Sequence, residues 1–219
     1  MTQSQNHGFV FENAIKQHVF NLPSSKNDTN IHDISAVQNK FNPNETISIK
    51  TTMGKHIDCG DIMRFYNYDF TKKHTLIIIA LTQKTTKHKY VKRIYELNYD
   101  ASCHELLFGG LNKDIINKYI SDVKSIPNKI CNVEAKKHFN YLVEKKIITD
   151  AYKPVIHISP KVDSKNQRRV QCRIKNFEKT LKSYITYIST VKLPNIIRGV
   201  TIPLYIKSGK RVSHVKTLH

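Results

Sequence analysis

Three residues near the amino end offer this sequence's most direct chemistry: Glu12 in GFVFENAI, Asp33 in HDIS and Lys50 in ISIK. Hydrolysing a phosphodiester needs a divalent cation to hold the scissile phosphate and polarise the attacking water. A carboxylate at the end of a strand can hold that cation on a rigid element. A lysine on the neighbouring strand, two residues past a second ligand position, faces the same side because side chains alternate. Its ammonium group can orient or deprotonate the water, or offset the charge building on the phosphate. Glu12, on an adjacent helix, would complete the cation's shell directly or through water. Each residue also has a plain structural reading. Asp33 suits a turn or cap, Glu12 can pair with Lys16 four residues on, Lys50 can lie on a solvated strand face, and Ser48 can be an ordinary strand serine.

The elements that must position these groups are visible in the apolar spacing. Phe11, Ile15 and Val19 recur every four residues, predicting a helix over 8–20 that Pro23 ends. Residues 31–37 read as extended. Residues 46–52 (TISIKTT) alternate with β-branched side chains, predicting a strand. Residues 75–82 (TLIIIALT) form a near-continuous apolar run, as a central strand buried on both faces requires. Residues 90–99 predict a further strand, 114–126 and 134–148 two helices, and 155–159 a short strand. Val170, Cys172 and Ile174 alternate with Gln171 and Arg173 in another strand. Residues 177–188 read as a helix and 201–206 as a last strand. The order implies an α/β (α+β) domain with a central mixed sheet flanked by helices. Asp58 and Asp61, with Gly60 between them, read either as a metal loop or as a turn followed by a helix cap, the plainer reading.

This layout resembles the PD-(D/E)xK nuclease superfamily, and within it the type II restriction endonucleases. Members have an opening helix with a Glu, a strand with an Asp, and a next strand with a [D/E/Q/S/N]-x-K tripeptide. The matching residues are Glu12, Asp33 and Ser48-Ile49-Lys50, with Gly8 and Phe11 preceding the Glu as G-x-x-F-E. Ser48 stands where a carboxylate is commonest, and His32 where a proline often precedes the Asp. The resemblance implies a Mg2+-dependent endonuclease that cuts double-stranded DNA at a short specific sequence. Asp33 would be the main metal ligand, assisted by Ser48 and the Ile49 carbonyl. Lys50 would orient the water and Glu12 would support the metal shell. Cutting both strands at a two-fold symmetric site implies a homodimer. A junction or repair nuclease on the same fold, and a non-catalytic basic nucleic-acid-binding protein, remain alternatives.

Charge supplies the second expectation. The 219 residues hold 36 Lys plus Arg against 17 Asp plus Glu, a net +19. A protein this basic most often meets a polyanion. The surplus is uneven: residues 1–150 hold 21 cations and 15 acids, residues 151–219 hold 15 and 2. One domain over 1–219 is expected, with 151–219 as its basic DNA-recognition portion. Within it, Lys161, Lys165, Gln167, Arg168, Arg169, Gln171 and Arg173 have the composition of a surface that grips phosphates and reads base edges. Alternation puts Arg169, Gln171 and Arg173 on one face. Residues 84–93 and 207–216 are further basic stretches.

Other classes find little support. No G-x-G-x-x-G, G-x-x-x-x-G-K-[ST] or G-x-S-x-G occurs. The four cysteines are widely spaced with no C-x-x-C, which argues against a zinc ribbon or redox dithiol. The longest apolar run, 76–81, is too short to cross a membrane, and no secretory signal opens the chain. An intracellular protein, in cytoplasm or nucleoid, is the expectation.

Overall fold

The computed structural model describes residues 3–24, 32–85, 88–144 and 152–207. It is a mixed α+β fold, and its chain divides into two compact units. The first comprises Met1–Lys55, Phe70–Asp100 and Leu181–His219, and the second His56–Asp69 and Ala101–Thr180. The last third, expected to be one basic portion, is therefore split at 180/181. The end of the 134–148 helix and residues 208–216 of the basic tail lie outside the described residues.

The first unit is built on a five-stranded mixed sheet. Strand β1 (Glu45–Thr52) runs parallel to β3 (Lys73–Thr85), which pairs antiparallel with β4 (His88–Asn98). The far edge of β4 takes β7 (Ile185–Ile188) and β10 (Tyr205–Lys207). The apolar run of β3 is central as expected, and Leu76, Ile77, Ile78 and Ile79 are fully buried. Helix α1 (Gln3–Ala14) continues as a π-turn over Ile15–Val19. Spacings of four overshoot the α-helical repeat, and the wider turn brings Val19 and Phe20 back over the sheet. Phe11, Ile15, Val19 and Phe20 pack with Ile47, Ile49, Ile77, Ile79 and Ile34 in one core.

The helix expected over 177–188 is corrected. Only α6 (Phe177–Thr180) and a 3-10 turn (Lys182–Tyr184) are helical, and β7 follows. Phe177, Leu181 and Ile185 do have helical spacing. The run ITYI, however, is β-branched and aromatic, and an open edge of β4 lies within its reach, with Ile185 opposite Leu97. The expected strand at 201–206 is a small hairpin, β8 (Ile196–Ile197) and β9 (Val200–Thr201), followed by β10. Arg198 and Gly199 turn it with φ of 50° and 75°, the primed geometry that tight hairpins favour.

The second unit has an antiparallel sheet in the order β2 (Ile57–Asp61), β6 (Arg168–Ile174), β5 (His157–Val162). Helices α2 (Ile62–Tyr66), α4 (Lys113–Lys124) and α5 (Asn132–Glu144) pack on it, with α3 (Ala101–Phe108) in the same unit. Ile116, Tyr119 and Val123 give α4 its buried stripe, and the Asn112 side chain caps it by accepting from Ile115 N–H at 3.0 Å. Asp61 caps α2 by accepting from Arg64 N–H, the turn-and-cap reading of the Asp58–Asp61 pair. A bulge beside Asp58 is made by Gly60 at φ 83°.

Candidate functional site

Asp33 does not open a strand. Ile34 makes a single antiparallel bridge to Ile47, exchanging backbone bonds of 3.0 and 2.9 Å. The chain then turns away in a 3-10 turn (Ala36–Gln38), where the Gln38 side chain accepts from Ser35 N–H and Oγ–H. One bridge suffices to place Asp33. Residues 47 and 49 of β1 share the same edge direction, so the Ile49 amide and carbonyl both face the bridge side. The Asp33 carboxylate accepts from Ile49 N–H at 2.5 Å. The acid is thus tied to the middle residue of Ser48-Ile49-Lys50.

Glu12 comes from a mostly buried position of α1, next to the buried Phe11. Its carboxylate accepts from Lys16 Nζ at 2.7 Å, and the Lys16 side chain is only 3% exposed. Burial raises the Glu12 pKa, and the Asp33 charge raises it further. The Lys16 bond and charge, and then the charge of Lys50, oppose that rise. Asp33, Lys16 and Lys50 therefore all act on one carboxyl group. Alternation puts half-buried Lys50 on the side of β1 shared by Ser48 and Thr46, opposite Ile47 and Ile49. Ser48 is 1% exposed and is a packed strand position, and the Ile49 side chain belongs to the core.

A histidine pair flanks the cluster. The His32 and His74 rings lie 4.8 Å apart, and Thr46 Oγ1 bonds His74 Nδ1 at 2.7 Å. Burial, then the charges of His32 and Lys50, push His74 down to about 3, so it is neutral at physiological pH. Among the described residues, no group of three or more His, Cys, Asp or Glu is arranged to hold a metal ion.

The basic stretch expected at 161–173 lies in the second unit. In β6, Val170, Cys172 and Ile174 are buried while Arg169 and Arg173 are exposed and Gln171 is half-exposed, as alternation predicts. Across the sheet this face aligns Asp58, Arg173 and His157 in one row, then Asp61, Gln171 and Ser159, then Arg169 and Lys161. A groove of about 490 Å3 along β5 is lined by His157, Ser159, Lys161, Gln167 and Arg173, with Phe139 at its wall. Lys165 is exposed in the turn between the strands, where Asp163 accepts from Lys165 N–H and Gln167 N–H. Gln167 also accepts from Arg169.

Arg168 does not join this face. Its guanidinium donates to the carbonyls of Ile126, Asp163, Gln167 and Pro127, clipping the turn to the end of α4. A sequence reading counts its charge but cannot see four carbonyls brought together by folding. Lys16 was visible at four residues from Glu12, but only the packed α1 shows that this spacing points into a half-buried site and not into solvent. The His32–His74 contact spans 42 positions and leaves no local signal.

Comparisons with protein-family models, curated proteins and solved structures found no match.

Proposed function

We propose that this protein is a Mg2+-dependent DNA endonuclease of the type II restriction kind, acting on double-stranded DNA as a homodimer. The observation that carries the reading is the Asp33 carboxylate held on the Ile49 amide, in the middle of Ser48-Ile49-Lys50, with the Glu12 carboxyl bonded to buried Lys16 and under the charges of Asp33 and Lys50. The donor set suits a small hard cation: two carboxylates and the Ile49 carbonyl, all oxygen, beside a lysine. Mg2+ is commonly held by one or two carboxylates, waters and substrate phosphate oxygens. Asp33, Glu12 and the Ile49 carbonyl would hold it. Bound there, it would polarise the scissile phosphate and acidify a water.

The chain's own groups supply the rest. Lys50 sets its ammonium beside the reacting phosphate, where it orients the attacking water and offsets developing charge. Lys16 opposes the rise in the Glu12 pKa and holds the carboxyl by a bond. The Ile49 N–H holds Asp33 in one orientation, so the ligand need not be ordered when substrate arrives. In the second unit, Lys161, Lys165, Arg169 and Arg173 grip phosphates and Gln167 and Gln171 present groups suited to base edges.

A second reading, a basic nucleic-acid-binding protein without catalysis, draws on a different observation. The tripeptide begins with a sealed serine, so β1 offers no side-chain carboxylate of its own at that position. One experiment separates the two. Supercoiled plasmid and phage DNA are incubated with Mg2+ and wild type, Asp33→Ala or Lys50→Ala. Discrete fragments from wild type and none from the variants, all three still retarding DNA in a gel, support the nuclease. Retardation by all three and cutting by none on several DNAs supports the binding protein.

A further inference from the structure

The second unit's exposed sheet face gathers cationic groups at one end of β6. Arg173 lies directly opposite His157 on β5 and opposite Asp58 on β2. Facing neighbours on antiparallel strands have Cβ atoms about 5 Å apart. Lys175 follows two residues later, exposed and past the end of the strand. Asn176 then adopts φ 47°, which turns its N–H onto Nδ1 of His56 at 3.3 Å. With Nδ1 accepting, a neutral His56 carries its proton on Nε2 and is a donor there. Burial lowers the His157 pKa, and the charges of Lys175, Arg173 and His56 lower it further, so all three groups act at His157. The carboxylate in that row is Asp58, whose Oδ1 accepts from Arg173 Nε at 2.6 Å. Both partners are exposed, 44% for Arg173 and 74% for Asp58, and ion pairs this open are weakly held.

We infer that His56, His157, Arg173 and Lys175 form a seat for one backbone phosphate of a nucleic acid, and that the Asp58 carboxylate occupies it in the free protein. Arginine's planar fork suits a phosphate's paired oxygens at least as well as a carboxylate. A phosphate in the seat also gathers bonds from His56, His157 and Lys175. Asp58 keeps Arg173 oriented until a phosphate replaces it, and so lowers affinity for DNA. The inference rests on the nucleic-acid-binding half of the proposed function and not on its cleavage half.

The test is fluorescence anisotropy of a labelled duplex in EDTA, over a series of salt concentrations, with the full chain. Asp58→Asn should tighten binding about threefold at low salt. Arg173→Gln should weaken it about tenfold and reduce the slope of log affinity against log salt by about 0.9, one phosphate's worth. Asp58→Asn should have no effect in the Arg173→Gln background. Asp114→Asn, which removes an exposed acid on α4, should leave binding as in wild type. The inference is overturned if Asp58→Asn behaves like Asp114→Asn, or if Arg173→Gln keeps the wild-type slope. It is also overturned if the duplex does not bind while inorganic phosphate alone shifts the His157 ring signals in NMR, since the seat would then take free phosphate. Failure of wild type to cut DNA in Mg2+, with these binding effects intact, removes the nuclease reading and leaves the seat standing.

Discussion

The first unit encloses one cluster of charges, whereas the second holds an ion pair in the open. Arg198, at the tip of the β8–β9 turn, donates to Glu45 at 3.0 Å from both Nη1 and Nη2 and to Glu96 at 2.8 Å. The side chains are 13%, 2% and 12% exposed. Thr75 and Asn39 also bond Glu45, Lys73 Nζ lies 3.3 Å from it, and the Phe20 and Phe41 rings lie about 5.5 Å from the guanidinium. The Asp58–Arg173 pair has similar chemistry and opposite surroundings. Enclosed charges depend on each partner, because losing one strands the others in low dielectric. Exposed charges can exchange one partner for another, which a surface that meets phosphates requires.

Four predictions press on that contrast. The largest effect belongs to Arg198→Ala, which takes the shared guanidinium from Glu96 and Glu45 and leaves Glu45 only the more exposed Lys73. It should cost about 3–5 kcal/mol in urea unfolding, and a loss under 1 kcal/mol would show that this network is solvated after all. Acid comes next. Burial would raise the Glu45 pKa, but the bonds from Arg198, Thr75 and Asn39 hold it at about 2. A carboxyl depressed on folding stabilises above its unfolded pKa near 4.5, and that stability drains away as pH falls towards 2. The contribution is about 3 kcal/mol. Unfolding midpoints should therefore fall steeply between pH 4.5 and 2 in wild type and much less steeply in Arg198→Ala.

Lys16→Met should have a middling effect, about 1–3 kcal/mol of stability, by depriving Glu12 of its bonded cation. It also has a kinetic signature. Without Lys16 the Glu12 carboxyl, already raised by burial and Asp33, rises further, so the acid limb of a cleavage rate profile should move to higher pH. An unmoved limb at unchanged fold would remove Lys16 from the site. The smallest effect is in the second unit: a double-mutant cycle on Asp58 and Arg173 should give a stability coupling of about 0–1 kcal/mol, shrinking with salt. A coupling above 2 kcal/mol would erase the contrast.

What the sequence could show and what it could not follow the same division. Period-two and helical repeats are local, so β1, β3, β4, α4 and the exposed face of β6 were legible from TISIKTT, TLIIIALT and RVQCRI. The acids and lysine of the candidate site were legible as types and spacings. Their environment was not. Asp33 is placed by one bridge to Ile47, Glu12 by packing that turns its Lys16 bond inward, and Arg168 by two carbonyls about forty residues away, those of Ile126 and Pro127, besides two nearby. The strand β7 was read as a helix because its local spacing fits one, while the edge of β4 that captures it lies about ninety positions earlier. Two units interleaved along the chain leave no compositional boundary.

The proposed activity is hydrolysis of DNA at a defined sequence by the residues around Asp33 and Lys50. Sequencing the ends of fragments from a phage genome digested with Mg2+ tests it most directly. Wild-type ends should fall at one short, two-fold symmetric sequence, and Lys50→Met should yield no such ends. Ends scattered without common sequence, or an identical end pattern from Lys50→Met, would contradict it.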